Sequence, residues 1–164
     1  MQTIQLSGVK EYMEAMISMR ATMDSFRYSC IEDFVLKHGK AWTPRRLPKG
    51  VRRGEAKQCF GNAANLALGD ESLYYVEGFA MGVIPTLHAW CARIDGVVID
   101  PTWASAKVPL GKEYFGVPFK TDFLRKILLR RKSYGVIDDL EGRWPLLRGE
   151  GADGILVPEA FGNR

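Results

Sequence analysis

A chain of 164 residues with 46% apolar and 26% charged side chains is sized for one domain around a single core. That composition excludes a chain disordered throughout. A formal net charge of +4 and an isoelectric point of about 9.0 allow contact with an acidic partner but fall short of most dedicated nucleic-acid binders.

No apolar run reaches the roughly 18 residues a membrane helix needs, so no membrane partner is expected. The opening Met1–Leu6 stretch has no basic segment followed by an apolar one, so no secretory leader is expected. The three cysteines, Cys30, Cys59 and Cys91, form an odd and sparse set without a CxxC pair or zinc spacing. A cytoplasmic setting with at least one free thiol is the expectation, and the reading requires neither metal nor cofactor.

In chain order, residues 8–38 read as helical. Met13, Met16, Ile17, Met23 and Phe26 recur at helical steps and read as core packing. A second, short stretch from Ile31 to Lys37 stops before His38-Gly39. Residues 39–57 are broken by Pro44, Pro48, Gly50 and Gly54, and hold Arg45, Arg46, Lys49, Arg52, Arg53 and Lys57 without a matching acidic set. A small-residue helix then opens at Cys59 and stops at Gly69.

Strands are expected over Leu73–Ala80, Thr86–Ile94 and Val97–Asp100, the last two joined by Asp95-Gly96. After residue 104 the sequence reads as a loop, an aromatic group at Tyr114, Phe115 and Phe119, a basic helix over about Thr121–Lys132, and an irregular Gly- and Pro-punctuated tail. Runs of charge are usually solvated faces.

The chemistry centres on few residues. A cysteine nucleophile needs a base within reach and a third group to orient that base. Only His38 and His88 are available. His38 stands at a helix end, where solvent exposure or a C-terminal cap is the plain reading. His88 lies inside a strand. Cys59 opens a helix, where the dipole and the neighbouring Lys57 favour a thiolate. Cys91, mid-strand and facing away from His88, reads as a small buried apolar residue, and so does Cys30.

His88-Ala89-Trp90, followed after a hairpin by Asp100-Pro101-Thr102-Trp103, resembles the transglutaminase-like superfamily. There, a helix-starting Cys precedes a strand bearing His-Ala-Trp and a strand ending Asp-Pro-Thr. The likeness covers about residues 57–103, and the longer pattern with Asn62-Ala63 and Tyr114–Pro118 resembles small bacterial and phage proteins. It implies an α+β fold with a papain-like core: a catalytic helix packed on a small antiparallel sheet, with N-terminal helices and a C-terminal helix. The single domain would span 1–164, with a helical part at 1–38 and the catalytic core at 57–103.

The resemblance assigns Cys59 as nucleophile, His88 as general base and acid, and Asp100 as the group that holds the imidazole tautomer. Phe60 stands where the family commonly has Trp. Arg53 stands where papain-type enzymes place an oxyanion glutamine. The oxyanion donor is therefore expected from the backbone N–H of Cys59, with Gln58 and Asn62 as candidates for a second, side-chain donor; ordinary hydrogen bonding to a loop is an equally good expectation for Asn62. Trp90 and Trp103, with Tyr74, Tyr75, Tyr114 and Phe115, are candidates to wall a cleft, while most of these aromatics are expected simply to be core.

Two functions fit. One is acyl transfer on a peptide, protein or small amide, an acidic one among the options, through a thioester on Cys59. The other is a basic module that contacts nucleic acid or an acidic protein, with the triad inert. A geometric condition bears on the first. If Asp95-Gly96 formed a two-residue turn, Ile94 would oppose Val97, and Asp100 would point away from His88. A three-residue loop with Gly96 in the left-handed region pairs Arg93 with Val97 instead, and sets Asp100 diagonal to His88 on one face.

Overall fold

The longest strands are β2 (Leu73–Met81) and β3 (Pro85–Arg93), which pair antiparallel along their whole length, from Leu73 opposite Arg93 to Met81 opposite Pro85. In the computed structural model, which describes residues 8–103, 111–131, 133–156 and 161, three more strands extend this hairpin. They are β1 (Lys40–Trp42), β4 (Val98–Ile99) and β5 (Glu113–Phe119). The result is a curled, half-barrel antiparallel sheet in the order β1-β5-β2-β3-β4. With α1 (Val9–Ser18), α2 (Ile31–His38), α3 (Cys59–Gly69) and α4 (Thr121–Arg130), the described residues make an α+β fold.

Alternation of side chains gives the sheet two apolar faces. On one, Tyr75, Ala89, Cys91, Val117 and Phe119 meet Ala63, Ala64 and Ala67 of α3. These alanines bring the helix backbone close to the sheet, and the buried Cys91 thiol donates to the carbonyl of Ala63 at 3.1 Å. On the other face, Val76, Ala80, Trp90, Ala92, Val98 and Tyr114 pack with Trp42 and Phe161. Gly78 opposes Gly116 across β2 and β5. A Cβ on Gly116 would stand 2.6 Å from the Trp90 ring, so glycine is what lets the indole lie on the sheet.

The hairpin between β3 and β4 takes the three-residue form. Cys91 pairs with Ile99 and Ala92 with Val98. The N–H of Arg93 donates to Val97 O at 3.0 Å, and that of Gly96 to Arg93 O at 2.9 Å. Gly96 has φ of 82°, a conformation that costs any residue with a Cβ.

Several elements differ from the sequence reading. The helical stretch is interrupted between Ser18 and Ile31, because the carbonyl of Leu147 accepts the N–H groups of both Arg27 and Tyr28 and holds this segment against the C-terminal part of the chain. Met13 is core, but Met23 is 60% exposed. β1 falls in the segment read as irregular.

The expected post-104 loop lies partly outside the described residues, yet its aromatic end is the strand β5, between β1 and β2. Pro118 fits there because β1 pairs only with Tyr114–Gly116, so no partner on that side needs its missing N–H. The tail has little regular structure beyond Ala152–Gly154, but it bonds to β5 through Leu156 N and Pro118 O at 2.9 Å.

Glu77 is fully buried in β2 and binds the segment after α4. Its carboxylate accepts from Tyr75 Oη at 2.8 Å and from the N–H groups of Val136 at 2.6 Å and Ile137 at 3.0 Å. Burial raises its pKa against these donors and the nearby Arg131 charge.

Candidate active site

Asp100 follows β4 by one residue, so it continues the register one step past the Cys91–Ile99 pair, beside Trp90 and diagonal to His88. The side chains meet: Asp100 Oδ2 lies 2.8 Å from His88 Nε2, with both residues buried. Nε2 is therefore occupied by the carboxylate, and Nδ1 is the ring nitrogen left for another partner.

The carboxylate is held on all sides. Oδ1 accepts the N–H groups of Thr102 at 2.8 Å and Trp103 at 3.1 Å, the turn chemistry expected of Asp ahead of Pro101. Oδ2 also accepts Tyr114 Oη at 2.8 Å. Burial works against the Asp100 anion, but the bond and charge of His88 and the two N–H groups outweigh it and lower the pKa. Burial likewise opposes the imidazolium, yet Asp100 and the Cys59 thiol together raise His88 to about 9. Burial, then the Asp100 charge, pushes the Tyr114 phenol well above its ordinary value.

Cys59 is the first residue of α3, half-buried and with a free thiol. The thiol is near enough to His88 to count among the groups that raise the imidazole pKa, after Asp100. α3 packs on the face opposite to Trp90. β4 covers β3 only at Cys91 and Ala92, so β3 from Pro85 to Trp90 keeps its outer edge free of that strand. The helix that begins at Cys59 packs on one face of the sheet, while the carboxylate bonds His88 on the other.

Trp103 is half-buried and stacks on His88, ring centroids 4.1 Å apart and planes 23° from parallel. An aromatic face over an imidazolium favours its charge. Trp90, by contrast, does not wall a cleft. It is completely buried in the second core, its indole Nε1 without a hydrogen-bond partner among the described residues, because alternation turns it inward and Gly116 leaves room for its ring.

Asn62 is also spoken for. Its Nδ2 donates to Glu55 O at 2.7 Å and to Thr102 Oγ1 at 2.9 Å, so both amide hydrogens tie the preceding loop to the turn after Asp100 and leave none for an oxyanion. Gln58 is exposed, and no hydrogen bond described for the chain uses its side chain.

The remaining candidates stand apart. His38 is half-buried, not an exposed cap: its Nε2 is 2.6 Å from Tyr28 Oη and its ring lies 4.9 Å from that of Phe34. Burial, then Arg27 and Lys37, lowers its pKa. Cys30 and Cys91 are buried, and burial raises both thiols. Tyr114 was visible in the sequence only as an aromatic. Its role needed β5, which aims its hydroxyl at Asp100.

Cavities of about 300 Å³ beside Cys30, Glu32 and Trp144 and of about 230 Å³ beside Asn65, Leu128 and Tyr134 are not lined by the Cys-His-Asp set. Among the described residues no cluster of three His, Cys, Asp or Glu could hold a metal ion, and no helix is long and apolar enough to cross a membrane. In comparison with known proteins, no family model, no curated protein and no solved structure matches the chain.

Proposed function

We propose that this chain is a cysteine-dependent acyl-transfer enzyme, a hydrolase or transamidase with a transglutaminase-like, papain-like core. The observation that carries the reading is the buried imidazole of His88, bonded through Nε2 to Asp100, with the Cys59 thiol at the start of α3 among the groups that raise its pKa. A protonated imidazole beside the nucleophile is placed to give its proton to a leaving group.

In this reading the Cys59 thiolate attacks a carbonyl carbon and forms a C–S bond, and the carbonyl oxygen becomes an oxyanion. The N–H of Cys59 receives that charge, with the unengaged Gln58 amide as the remaining side-chain donor. The C–N or C–O bond then breaks, and the leaving group takes the proton from His88. Neutral His88 next accepts a proton from water or an amine as that nucleophile attacks the thioester, the C–S bond breaks, and the thiolate and imidazolium return. Asp100 keeps the ring oriented throughout.

Iodoacetamide at neutral pH tests the proposal. Cys59 should be alkylated well ahead of Cys30 and Cys91, and His88→Ala should slow it by roughly tenfold or more. Labelling of Cys59 no faster than of an ordinary free thiol, and indifferent to His88, counts against an enzyme. A second reading, a basic binding module, draws on the exposed Arg45, Arg46, Lys49, Arg52 and Lys57. It expects an unreactive Cys59 together with steeply salt-dependent affinity for nucleic acid or an acidic protein.

A further inference from the structure

The loop ahead of Cys59 is tied to the site rather than left as a free arm. Gly54 N donates to Pro101 O at 2.8 Å and Arg53 Nε to Thr102 O at 3.1 Å. Asn62 binds Glu55 O from the helix side at 2.7 Å. The anchor points on the far side are the two residues after Asp100, so the loop backbone and the catalytic turn form one wall. Lys57 ends this loop with φ of 65°, a conformation costly for a side chain with a Cβ, so the turn into Gln58 and Cys59 is imposed by its surroundings.

The charges on that wall are not neutralised. Arg52, Arg53 and Lys57 are exposed, as are Arg45, Arg46 and Lys49 further back. None of them takes part in an ion pair described for the chain, and Glu55 is the one acid between residues 43 and 58. Arg93, Arg125, Arg130, Arg131 and Arg148 do pair with Asp or Glu. The positive end of α3 adds to the field at the same place. A one-signed surface beside a reactive group raises the local concentration of the opposite charge.

We infer that the molecule that acylates Cys59 carries an anionic group, a carboxylate or phosphate, received by the Arg52–Lys57 wall. This inference rests on the cysteine-enzyme reading and adds the class of substrate to it. The anionic group can belong to a small molecule or to an acidic peptide, and the chemistry that recognises it is the same.

Two pairs of electrophiles read this directly on the intact protein. The first pair is iodoacetate and iodoacetamide, alike except for charge. The second is chloroacetyl-Glu-Glu-amide and chloroacetyl-Gln-Gln-amide, which carry the charge on a peptide. For each pair the quantity is the ratio of Cys59 alkylation rates, anionic over neutral, divided by the same ratio for free cysteine. The ratio is used because cations that favour the thiolate accelerate both members.

The ratio should be roughly tenfold above that of free cysteine at low ionic strength. It should decay as salt approaches about 1 M, where the Debye length is near 3 Å. It should fall several-fold in Arg52→Gln/Lys57→Asn, in which asparagine keeps the left-handed turn. Arg45→Gln/Arg46→Gln, further from the anchors, provides a second variant should the first fail to fold. Preference confined to the iodoacetate pair indicates a small anion, and confined to the peptide pair an acidic peptide. Fast alkylation by both neutral reagents with ratios like those of free cysteine, flat in salt and unmoved by the variants, overturns the inference and leaves the enzyme reading intact. An unreactive Cys59 removes the enzyme reading, and the inference with it.

Discussion

Asp100 lies diagonal to His88 across the β3–β4 hairpin, with Oδ2 2.8 Å from Nε2, one register step beyond the pairing of Cys91 with Ile99. A pairing shifted by one residue would send Asp100 to the opposite face of the sheet, because strand side chains alternate. The hydrogen bond thus depends on the three-residue loop and on the positive φ of Gly96.

Gly96→Val should therefore do two things. It should destabilise the fold by about 1–2 kcal/mol, the cost of a left-handed conformation with a Cβ, as read by urea unfolding. It should also slow alkylation of Cys59 if the hairpin shifts to the two-residue turn. Gly96→Asn, which tolerates the conformation, should retain both properties. A valine variant as stable as the parent would show that the loop does not depend on glycine.

Asp100→Asn should remove the charge that raises His88. With only two histidines in the chain, their ring protons are separable by NMR. His88 should titrate near pH 9 in the parent and lower in the variant, with His38 unmoved below its ordinary value. Turnover of an activated ester by Cys59 should fall by as much as about 10⁴-fold, the scale on which a triad loses its tautomer control. Equal turnover would reduce Asp100 to a turn former.

The same pair should shape stability against pH. His88 is raised from 6.5 to about 9 in the folded chain, so its contribution is complete below pH 6.5 and lost as pH rises through about 9. Asp100 is lowered from 3.8, so its contribution is present above that value and lost as pH falls through the lower folded one. The free energy of unfolding should accordingly decline on the alkaline side, by on the order of 3 kcal/mol in total, and His88→Gln should flatten that decline. A parent free energy of unfolding that stays constant from pH 6 to 10 would contradict a charged, buried His88.

Tyr114→Phe tests the hydroxyl that donates to Asp100. Losing a buried hydroxyl that donates to a carboxylate should cost about 1.5–3 kcal/mol, and the acid limb of the stability curve should move to higher pH because the Asp100 anion loses a donor. Ring packing against Trp90, centroids 5.0 Å apart, is retained, so an effect confined to stability with no movement of the acid limb would make Tyr114 a packing residue only.

Much of this protein was legible in its sequence because the signals were local. Aromatic and β-forming content marked β2 and β3, Asp95-Gly96 marked the hairpin, and counting residues along it showed that Asp100 faces His88 only with a three-residue loop. The scarcity of histidine, together with the His-Ala-Trp and Asp-Pro-Thr segments, singled out His88 and Asp100, and the helix start at Cys59 singled out the thiol. What the tertiary structure alone decided depends on partners distant in the chain. β5 is a strand because β1 and β2 flank it, although Gly116 and Pro118 weaken any local preference. Trp90 is core because Gly116, from another strand, makes room for its ring. Asn62 is a structural tie because Glu55 and Thr102 arrive on either side of its amide. Tyr114 reaches Asp100 only through the order β5-β2-β3-β4, a pairing in space that no local sequence pattern encodes.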